Sequence, residues 1–244
     1  MTAARPRPAF YALRPGGWRD YVTLLHPPYT LWHLSYVAVG AALAPRMDWA
    51  LLGWTLLAFA LAMGVGAHAL DELRGRPLQT RISPPMLVTL AAVSISGAAA
   101  IGIAVAVSRT LWLLVFVAVG AFLVVAYNLE LFDGRLHGGL WFPAAWGAFP
   151  VLTAYFASAE TLRDAAFAGA AYAFATSWAQ RRLSTPVRLV RRRVVAVDGE
   201  MRLDDGSMLP VDADALAAVP EAALKALVAA TVLIAVALLL FRAG

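Results

Sequence analysis

Residues Trp49–Leu78 read WALLGWTLLAFALAMGVGAHALDELRGRPL, an almost unbroken apolar run that ends in charge. At about 1.5 Å per residue, the apolar part from Trp49 to Leu70 spans the roughly 30 Å hydrocarbon core of a bilayer. It delivers a dense set of ionisable residues to one membrane edge: His68, Asp71, Glu72, Arg74, Arg76 and, a little further on, Arg81. Ionisable groups at membrane depth are costly and are usually functional. The segment therefore predicts a membrane helix with a functional polar end.

The composition of the whole chain agrees with a membrane protein. Hydrophobic residues make up 61% of the 244 residues and charged residues only 14%, and the mean hydropathy is +0.70. The chain has no cysteine, which excludes disulfides, thiolate nucleophiles, cysteine zinc sites and iron–sulfur clusters. Neither a glycine-rich phosphate loop nor a serine triad nor an HExxH site is present.

Seven stretches are apolar enough to be considered as membrane spans, which need about 20 residues each. They are Thr30–Ala44, Trp49–Leu70, Pro85–Val107, Leu111–Tyr127, Gly139–Ser158, Leu162–Ala179 and Glu221–Phe241. An interfacial amphipathic helix is expected at Asp20–His26, before the first span. The pattern predicts an all-α polytopic membrane bundle of about seven transmembrane helices.

The division of the chain follows from these spans. We expect a cytoplasmic arm with the interfacial helix at 1–29, a six-helix membrane bundle at 30–183, a basic cytoplasmic loop at 184–215 and the last transmembrane helix at 216–244. Within the basic loop, Val194–Val211 contains two Asp-Gly pairs between short β-prone runs. Asp-Gly between such runs is typical of a hairpin. A small β-hairpin or three-stranded meander is therefore predicted before the last helix.

The arginines give the expected orientation. Fifteen of the 19 fall in the N-terminal arm and in the second, fourth and sixth loops, including Arg5 and Arg7. Loops rich in arginine and lysine face the cytoplasm. The N-terminus is therefore expected in the cytoplasm, and the alanine- and arginine-rich composition indicates a GC-rich bacterial source and hence the bacterial inner membrane.

The first candidate site is the polar end of the second span. If the helix continues, His68, Asp71, Glu72 and Gly75 lie on one face. A histidine beside a carboxylate is able to transfer protons, orient a substrate or bind a metal, and Asp71 with Glu72 are the candidate metal ligands. The alternative is structural: the two acids form ion pairs with Arg74, Arg76 or Arg81 and hold the loop in place, which we favour for Glu72.

The second candidate site is at the end of the sixth span. Gln180, Arg181 and Arg188 lie near one helical face until Pro186 is expected to interrupt the helix, and arginine forks match phosphate geometry. The alternative is an orientation signal that contacts lipid phosphates, which we favour for Arg191–Arg193. Asn128 is expected to complete a cytoplasmic pocket. A packing role is expected for the isolated His26 and His33, and His137 is interpreted as a loop residue.

Several of these features recur in one known family. They are the His26-Pro27 entry to a short first helix, the polar motif followed by Arg76-Pro77-Leu78, Tyr127-Asn128 at the end of the fourth helix, a glycine-rich fifth helix and a polar end to the sixth. Over about Leu24 to Arg188 the chain resembles the UbiA superfamily of intramembrane prenyltransferases. The resemblance implies a helical bundle with a central cavity open to the cytoplasmic side. It also implies transfer of an isoprenoid chain from a prenyl diphosphate, with magnesium ions held by two acidic motifs.

The acidic motifs are where this sequence departs from the family. The first motif, Asn-Asp-x-x-Asp-x-x-x-Asp, falls on Ala67, His68, Asp71 and Gly75, so that only Asp71 matches. Between Ser177 and Arg193 there is no acid at all. Asp71 and Glu72 therefore offer at most a single magnesium site. Four arginines are expected to neutralise phosphate directly instead: Arg74, Arg76, Arg181 and Arg188.

The leading expectation is a divergent prenyltransferase or related isoprenoid enzyme, such as a terpene cyclase. It would bind a prenyl diphosphate or another anionic lipid at the cytoplasmic face, and no nucleic acid. His68 and Asp71 would be catalytic. The expected substrate-binding residues are Arg74, Arg76, Arg81, Asn128, Gln180, Arg181 and Arg188. The aromatic residues expected beside the isoprenoid tail are Trp32, Tyr36, Phe149, Tyr155 and Trp178. The alternative is a catalytically inactive protein of the same fold that acts in lipid binding, transport or assembly.

Overall fold

The computed structural model describes residues 8–244, which form an all-helical chain with one small two-stranded hairpin. Arg5 and Arg7, which contributed to the expected orientation, lie outside the described residues. The hairpin lies between the last two helices, as predicted, and its strands pair antiparallel with Met201 opposite Leu209. The all-α class and the hairpin before the last helix are therefore confirmed.

The helices have the following bounds. They are α1 (Trp18–Leu24), α2 (Pro27–Leu43), α3 (Trp49–Leu73), α4 (Pro84–Ser108), α5 (Leu113–Asn128), α6 (residues 141–159), α7 (Asp164–Arg193) and α8 (Ala213–Ala243). A short 3₁₀ turn, Arg135–His137, follows α5, and the strands are β1 (Gly199–Arg202) and β2 (Met208–Val211). α1 lies where the interfacial helix is expected and begins two residues earlier than predicted.

Three helices within residues 8–244 are long and apolar enough to cross a membrane. They are α3, α4 and α8, with 25, 25 and 31 residues, whereas α5 is apolar but shorter. α7 is longer than the predicted sixth span, because it continues through Pro186 to Arg193. The expected interruption at Pro186 was therefore wrong. As a consequence, all the arginines from Arg181 to Arg193 belong to one continuous helix.

Two helices contain a π-helical segment. In α3 it covers Ala60–Ala67, and in α6 it covers Ala144–Ala148. Such segments are rare and often lie at functional sites, because the extra residue in the turn changes the direction of the side chains that follow. The buried side chains of Met63 and Trp146 lie in these two segments.

The interior is built around α2, which packs against α6 and α8. Trp32 and Tyr36 are fully buried there, and Trp32 Nε1 donates to the Tyr36 hydroxyl. The same hydroxyl lies 2.6 Å from Thr176 Oγ1 and accepts a bond of 3.1 Å from Ser177 Oγ on α7. These bonds satisfy polar groups that lipid cannot satisfy, and they hold α2 and α7 together beside the candidate site.

Candidate functional site

A polar cavity of about 320 Å³ lies where the polar ends of α2, α3, α5 and α7 meet. This volume is within the range of about 300–1,000 Å³ that is usual for ligand sites. Its ionisable and amide side chains are Tyr11, His26, Tyr29, His33, His68, Asp71, Tyr127, Asn128, His137, Gln180, Arg181, Arg188 and Arg192. The segment from Pro8 to Tyr11 closes one side of it. The structure thus brings both predicted sites into a single cavity.

All four histidines of the chain line this cavity. The rings of His26 and His68 are stacked, with centroids 4.0 Å apart and 14° between their planes. His33 Nδ1 lies 2.8 Å from the carbonyl oxygen of Trp146, so the ring is held by the packed helices as expected, but it also lines the cavity. His137 Nδ1 lies 3.1 Å from the carbonyl oxygen of Tyr127. His137 lies in the short turn after α5, as expected for a loop residue, and it also lines the cavity, which the sequence did not indicate.

Three arginines of α7 line the cavity, and each is held by neutral groups. Arg181 donates to the Tyr127 hydroxyl at 2.7 Å and to the His137 carbonyl at 3.0 Å. Arg188 donates to Ser184 Oγ at 2.9 Å, and Arg192 Nε donates to the Pro8 carbonyl at 3.2 Å. Burial, together with the neighbouring cations Arg192 and Arg181, lowers the pKa of Arg188 from its usual value.

These three arginines share one electrostatic property. Within residues 8–244 the carboxylates that form ion pairs are Asp48, Asp214, Glu130 and Glu221, and none of these pairs includes Arg181, Arg188 or Arg192. Partly buried cations without an anionic partner favour the binding of an anion, because burial weakens the competing hydration. The group at the end of α7 is therefore a candidate phosphate site.

Arg191 and Arg192 have different roles although they are adjacent. Arg191 Nε lies 2.9 Å from Glu221 Oε1 on α8, and Arg191 also pairs with the exposed Asp214. It ties α7 to α8, whereas Arg192 lines the cavity. The assignment of Arg191–Arg193 to an orientation signal with lipid-phosphate contacts thus missed Arg192, because the sequence does not show which arginine of a run faces inward.

Glu72 does not line the cavity with Asp71. It is fully buried, and its carboxylate accepts bonds from the Leu78 N–H at 2.9 Å, the Thr80 N–H at 2.8 Å and the Thr80 hydroxyl at 2.9 Å. It holds the loop after α3 in place, as the structural alternative required, but through these groups and not through an arginine. The carboxylates of Asp71 and Glu72 therefore do not face one common site, contrary to the predicted metal pair.

Magnesium would therefore have little to bind here. Asp71 is the one carboxylate among the described residues that line the cavity. Nowhere in residues 8–244 do three histidine or carboxylate side chains lie close enough together to hold a metal ion. Magnesium prefers oxygen ligands and is held on phosphates by one or two carboxylates. The residues present fit at most one ion on Asp71 and do not fit a two-motif magnesium site.

Three arginines of the loop after α3 do not reach the cavity wall, contrary to expectation. Arg74 pairs with Glu130 at 3.0 Å. Arg76 donates to the carbonyls of Thr80 and Ile82. Arg81 is exposed, and its backbone N–H donates to the buried Asp20 at 3.0 Å. These arginines stabilise the loop and its contact with the N-terminal segment.

A second cavity, of about 120 Å³, adjoins the polar one and is lined by apolar side chains of α3, α4, α5 and α6. Met63 and Trp146, both on π-helical segments, line the two cavities at once. Of the aromatic residues expected beside a tail, only Phe149 lies here. Trp32, Tyr36 and Tyr155 are fully buried in the core, and Trp178 is exposed.

Phe10 and Tyr11, in the segment before α1, also line the polar cavity, and no sequence pattern indicated them. Tyr11 packs against His26 with ring centroids 5.4 Å apart, and burial raises its pKa above the usual value.

No family model matches the chain, and no curated protein or solved structure matches it either.

Proposed function

We propose that the chain is a divergent UbiA-like membrane enzyme that binds a prenyl diphosphate and transfers its isoprenoid chain. The observation that carries the proposal is that two cavities are adjacent. Arg181, Arg188 and Arg192 line a polar cavity without a carboxylate partner among the described residues, and a neighbouring apolar cavity shares Met63 and Trp146 with it. A molecule with an anionic head and an apolar tail is complementary to this pair of cavities.

The arginines supply the electrostatic part of the reaction. Cleavage of an allylic diphosphate places negative charge on the departing diphosphate, and fixed cations stabilise that charge as it develops. Guanidinium groups do so with two parallel hydrogen bonds to one phosphate. Arg181 is held in place by Tyr127 and His137, which reduces the reorganisation needed on binding. No step of the proposal passes through magnesium.

In the membrane, we propose seven transmembrane helices with the N-terminus in the cytoplasm of a bacterial cell. The arginine-rich ends of α3 and α7 then lie at the cytoplasmic face, together with the polar cavity. The apolar cavity lies deeper between the helices, where a prenyl tail is shielded from water. This arrangement gives a water-soluble acceptor or product access to the head of the lipid from the cytoplasm.

The proposal is tested by native mass spectrometry of the purified, detergent-solubilised protein with geranylgeranyl diphosphate, with and without magnesium. We expect the diphosphate to bind in both conditions. Arg181→Gln/Arg188→Gln should weaken binding at least about tenfold, since each charged hydrogen bond contributes about 1.5–3 kcal/mol. Arg182→Gln is the matched control, because Arg182 is exposed on the same helix and does not line the cavity.

Two outcomes would count against the proposal. One is that only bulk phospholipid is retained and the prenyl diphosphate does not bind in either condition. The other is that Arg182→Gln weakens binding as much as the double variant does, which would indicate a non-specific surface charge. Each variant is compared by gel filtration in detergent, so that misfolding is recognised separately from loss of binding.

The competing function is lipid binding, transport or assembly by a catalytically inactive protein of this fold. It is favoured by one observation: Asp71 is the single carboxylate of the described cavity wall. Asp71→Asn distinguishes the two functions in a turnover assay with the same diphosphate. Loss of turnover with unchanged binding supports the enzyme, whereas a protein that binds the diphosphate without turning it over supports the alternative.

A further inference from the structure

We propose that the polar cavity also holds the hydroxyl group of a second, neutral substrate, and that His68 takes the proton from this hydroxyl. The proposal rests on the proposed function, since it names the acceptor for the prenyl chain. Its basis is a set of hydrogen-bond acceptors that line the same cavity as the arginines. Besides Asp71, those acceptors are His33, His68, His137 and the side-chain amide of Gln180.

The hydrogen bonds of three histidines fix which ring nitrogen carries the proton. Nδ1 of His68 lies 3.1 Å from the carbonyl oxygen of Gly64, and Nδ1 of His33 and His137 faces a carbonyl oxygen in the same way. A carbonyl oxygen only accepts, so Nδ1 must be the donor. In the neutral ring Nε2 is then the nitrogen with a free lone pair. Three such acceptors belong to the wall of one cavity.

Two further polar atoms lack a partner. Gln180 is only 4% exposed, and its Oε1 is buried without a hydrogen-bond partner within residues 8–244. The same holds for His26 Nε2. A buried polar atom without a partner costs about 1–3 kcal/mol, which a bound donor group recovers. Gln180 is one of the residues that line the cavity, so its amide lies next to a ligand that binds there.

The chemistry of these groups identifies the ligand. Phosphate oxygens accept hydrogen bonds, so a diphosphate satisfies the arginines but not Gln180 or the histidine lone pairs. A donor is therefore needed in addition. Of the described residues, three arginines and one carboxylate, Asp71, line the cavity, so that its wall carries net positive charge and repels an ammonium group. A neutral hydroxyl group meets both requirements.

His68 is placed to act as the base. Its Nδ1–H is held by Gly64, its ring is stacked on His26, and its Nε2 is free to accept a proton. In the proposed step the hydroxyl oxygen attacks C1 of the allylic diphosphate and forms a C–O bond. The bond between C1 and the diphosphate oxygen breaks, and its electron pair leaves with the diphosphate. The hydroxyl proton passes to His68 Nε2, and the product is a prenyl ether.

The test uses geranyl diphosphate as the donor and phenol as the acceptor probe, with the full-length protein in detergent. Phenol reports the chemistry directly, because attack through oxygen gives an ether and attack through a ring carbon gives a prenylphenol. Products are identified by chromatography and mass spectrometry, and binding of geranyl diphosphate is measured in parallel by native mass spectrometry. The variants are His68→Gln and Gln180→Met, with Gln79→Met, an exposed loop position, as the matched control.

We expect the ether as product. His68→Gln should lower its rate of formation about 100-fold, as is usual for loss of a general base, while binding of geranyl diphosphate is unchanged. Gln180→Met should raise the phenol KM more than it lowers kcat. Bound diphosphate with ring-carbon product, a cyclised hydrocarbon or no transfer at all would overturn the hydroxyl site but leave the diphosphate site intact. Absence of diphosphate binding would overturn both.

Discussion

The imidazole rings of His26 and His68 are stacked face to face, with their centroids 4.0 Å apart. His26 precedes the first turn of α2, and His68 begins the last turns of α3. The contact therefore joins the entry of one helix to the polar end of the next, on the wall of the polar cavity. It is also a place where pH should act on stability, because His26 Nε2 is buried without a hydrogen-bond partner among the described residues.

Lowering the pH should destabilise the protein through His26. Burial, and then the charges of His68, Arg192, His33 and Arg188, lower the pKa of His26 well below its usual value of about 6.5. Below pH 6.5 the unfolded chain binds a proton at this position that the folded chain does not bind. The free energy of unfolding is therefore unaffected by His26 above about pH 6.5. It falls as the pH decreases below this value, by at most about 1.4 kcal/mol per pH unit for one group.

The measurement is the thermal unfolding midpoint at pH 7.5 and pH 5.5 in the same detergent. His26→Asn removes the titrating group and keeps a residue that tolerates the left-handed backbone found here, with φ of 46°. The difference between the two pH values should become smaller in this variant. An unchanged difference would show that another group dominates the acid response.

Glu72→Gln should destabilise the protein by about 2 kcal/mol without affecting diphosphate binding. The carboxylate accepts three bonds from Leu78 and Thr80, and an amide in its place turns an N–H group towards donors. Glu130→Gln is the control, since the Arg74–Glu130 pair is exposed and such pairs contribute about 0–1 kcal/mol. Denaturation midpoints measure both. Loss of magnesium-dependent binding in folded Glu72→Gln would instead restore the metal role expected from the sequence.

Gly147→Ala should lower stability by about 1–3 kcal/mol, as overpacking usually does. A Cβ atom at Gly147 would lie 2.5 Å from the carbonyl oxygen of Ala173 and 2.7 Å from Ser177 Oγ. α6 approaches α7 this closely only because the side chain is absent. Gly53→Ala on α3 meets no atom within 4 Å, and we expect it to be neutral or stabilising by up to about 1 kcal/mol. Equal thermal midpoints for the two variants would contradict the close contact.

Ala98→Phe should discriminate between prenyl chains of different length. Ala98 lines the apolar cavity of about 120 Å³, so a phenyl ring there takes up room that a long tail needs. We expect affinity for geranylgeranyl diphosphate to fall at least about tenfold, and affinity for geranyl diphosphate to fall less. Val93→Phe on the same helix is the control, because Val93 is 68% exposed and lines neither cavity. Equal losses for both chains would place the tail elsewhere.

Much of the fold was predictable because helices depend on local sequence. The run from Trp49 to Leu70 predicted α3 to within three residues at its end, and the Asp205-Gly206 pair predicted the turn of the hairpin. The continuation of α7 through Pro186 was not predictable, since proline removes one hydrogen bond and packing against α8 and the pair Arg191–Glu221 outweighs that loss. The π-helical segments also had no sequence signal.

The candidate site was only half predictable. His68, Asp71, Asn128, Gln180, Arg181 and Arg188 line the cavity, and the sequence identified them because polar side chains at the end of an apolar run are costly. The same criterion also selects Arg74, Arg76 and Arg81, but none of them lines the cavity. Arg74 pairs with Glu130, Arg76 donates to two loop carbonyls, and Arg81 is exposed. His26, His33, His137 and Arg192 were missed, since residues far apart in the chain give no signal that they meet.

What the sequence determined by itself is the class of protein, the helices and the position of charge along them, because burial of apolar residues and the cost of charge in lipid are local properties. The tertiary structure decided which charges remain unpaired. Arg74 and Arg191 find carboxylates, whereas Arg181, Arg188 and Arg192 meet around one cavity without such a partner in the described chain. That difference depends on distances across helices, which only packing sets, and it separates the proposed anion site from residues that merely stabilise the fold.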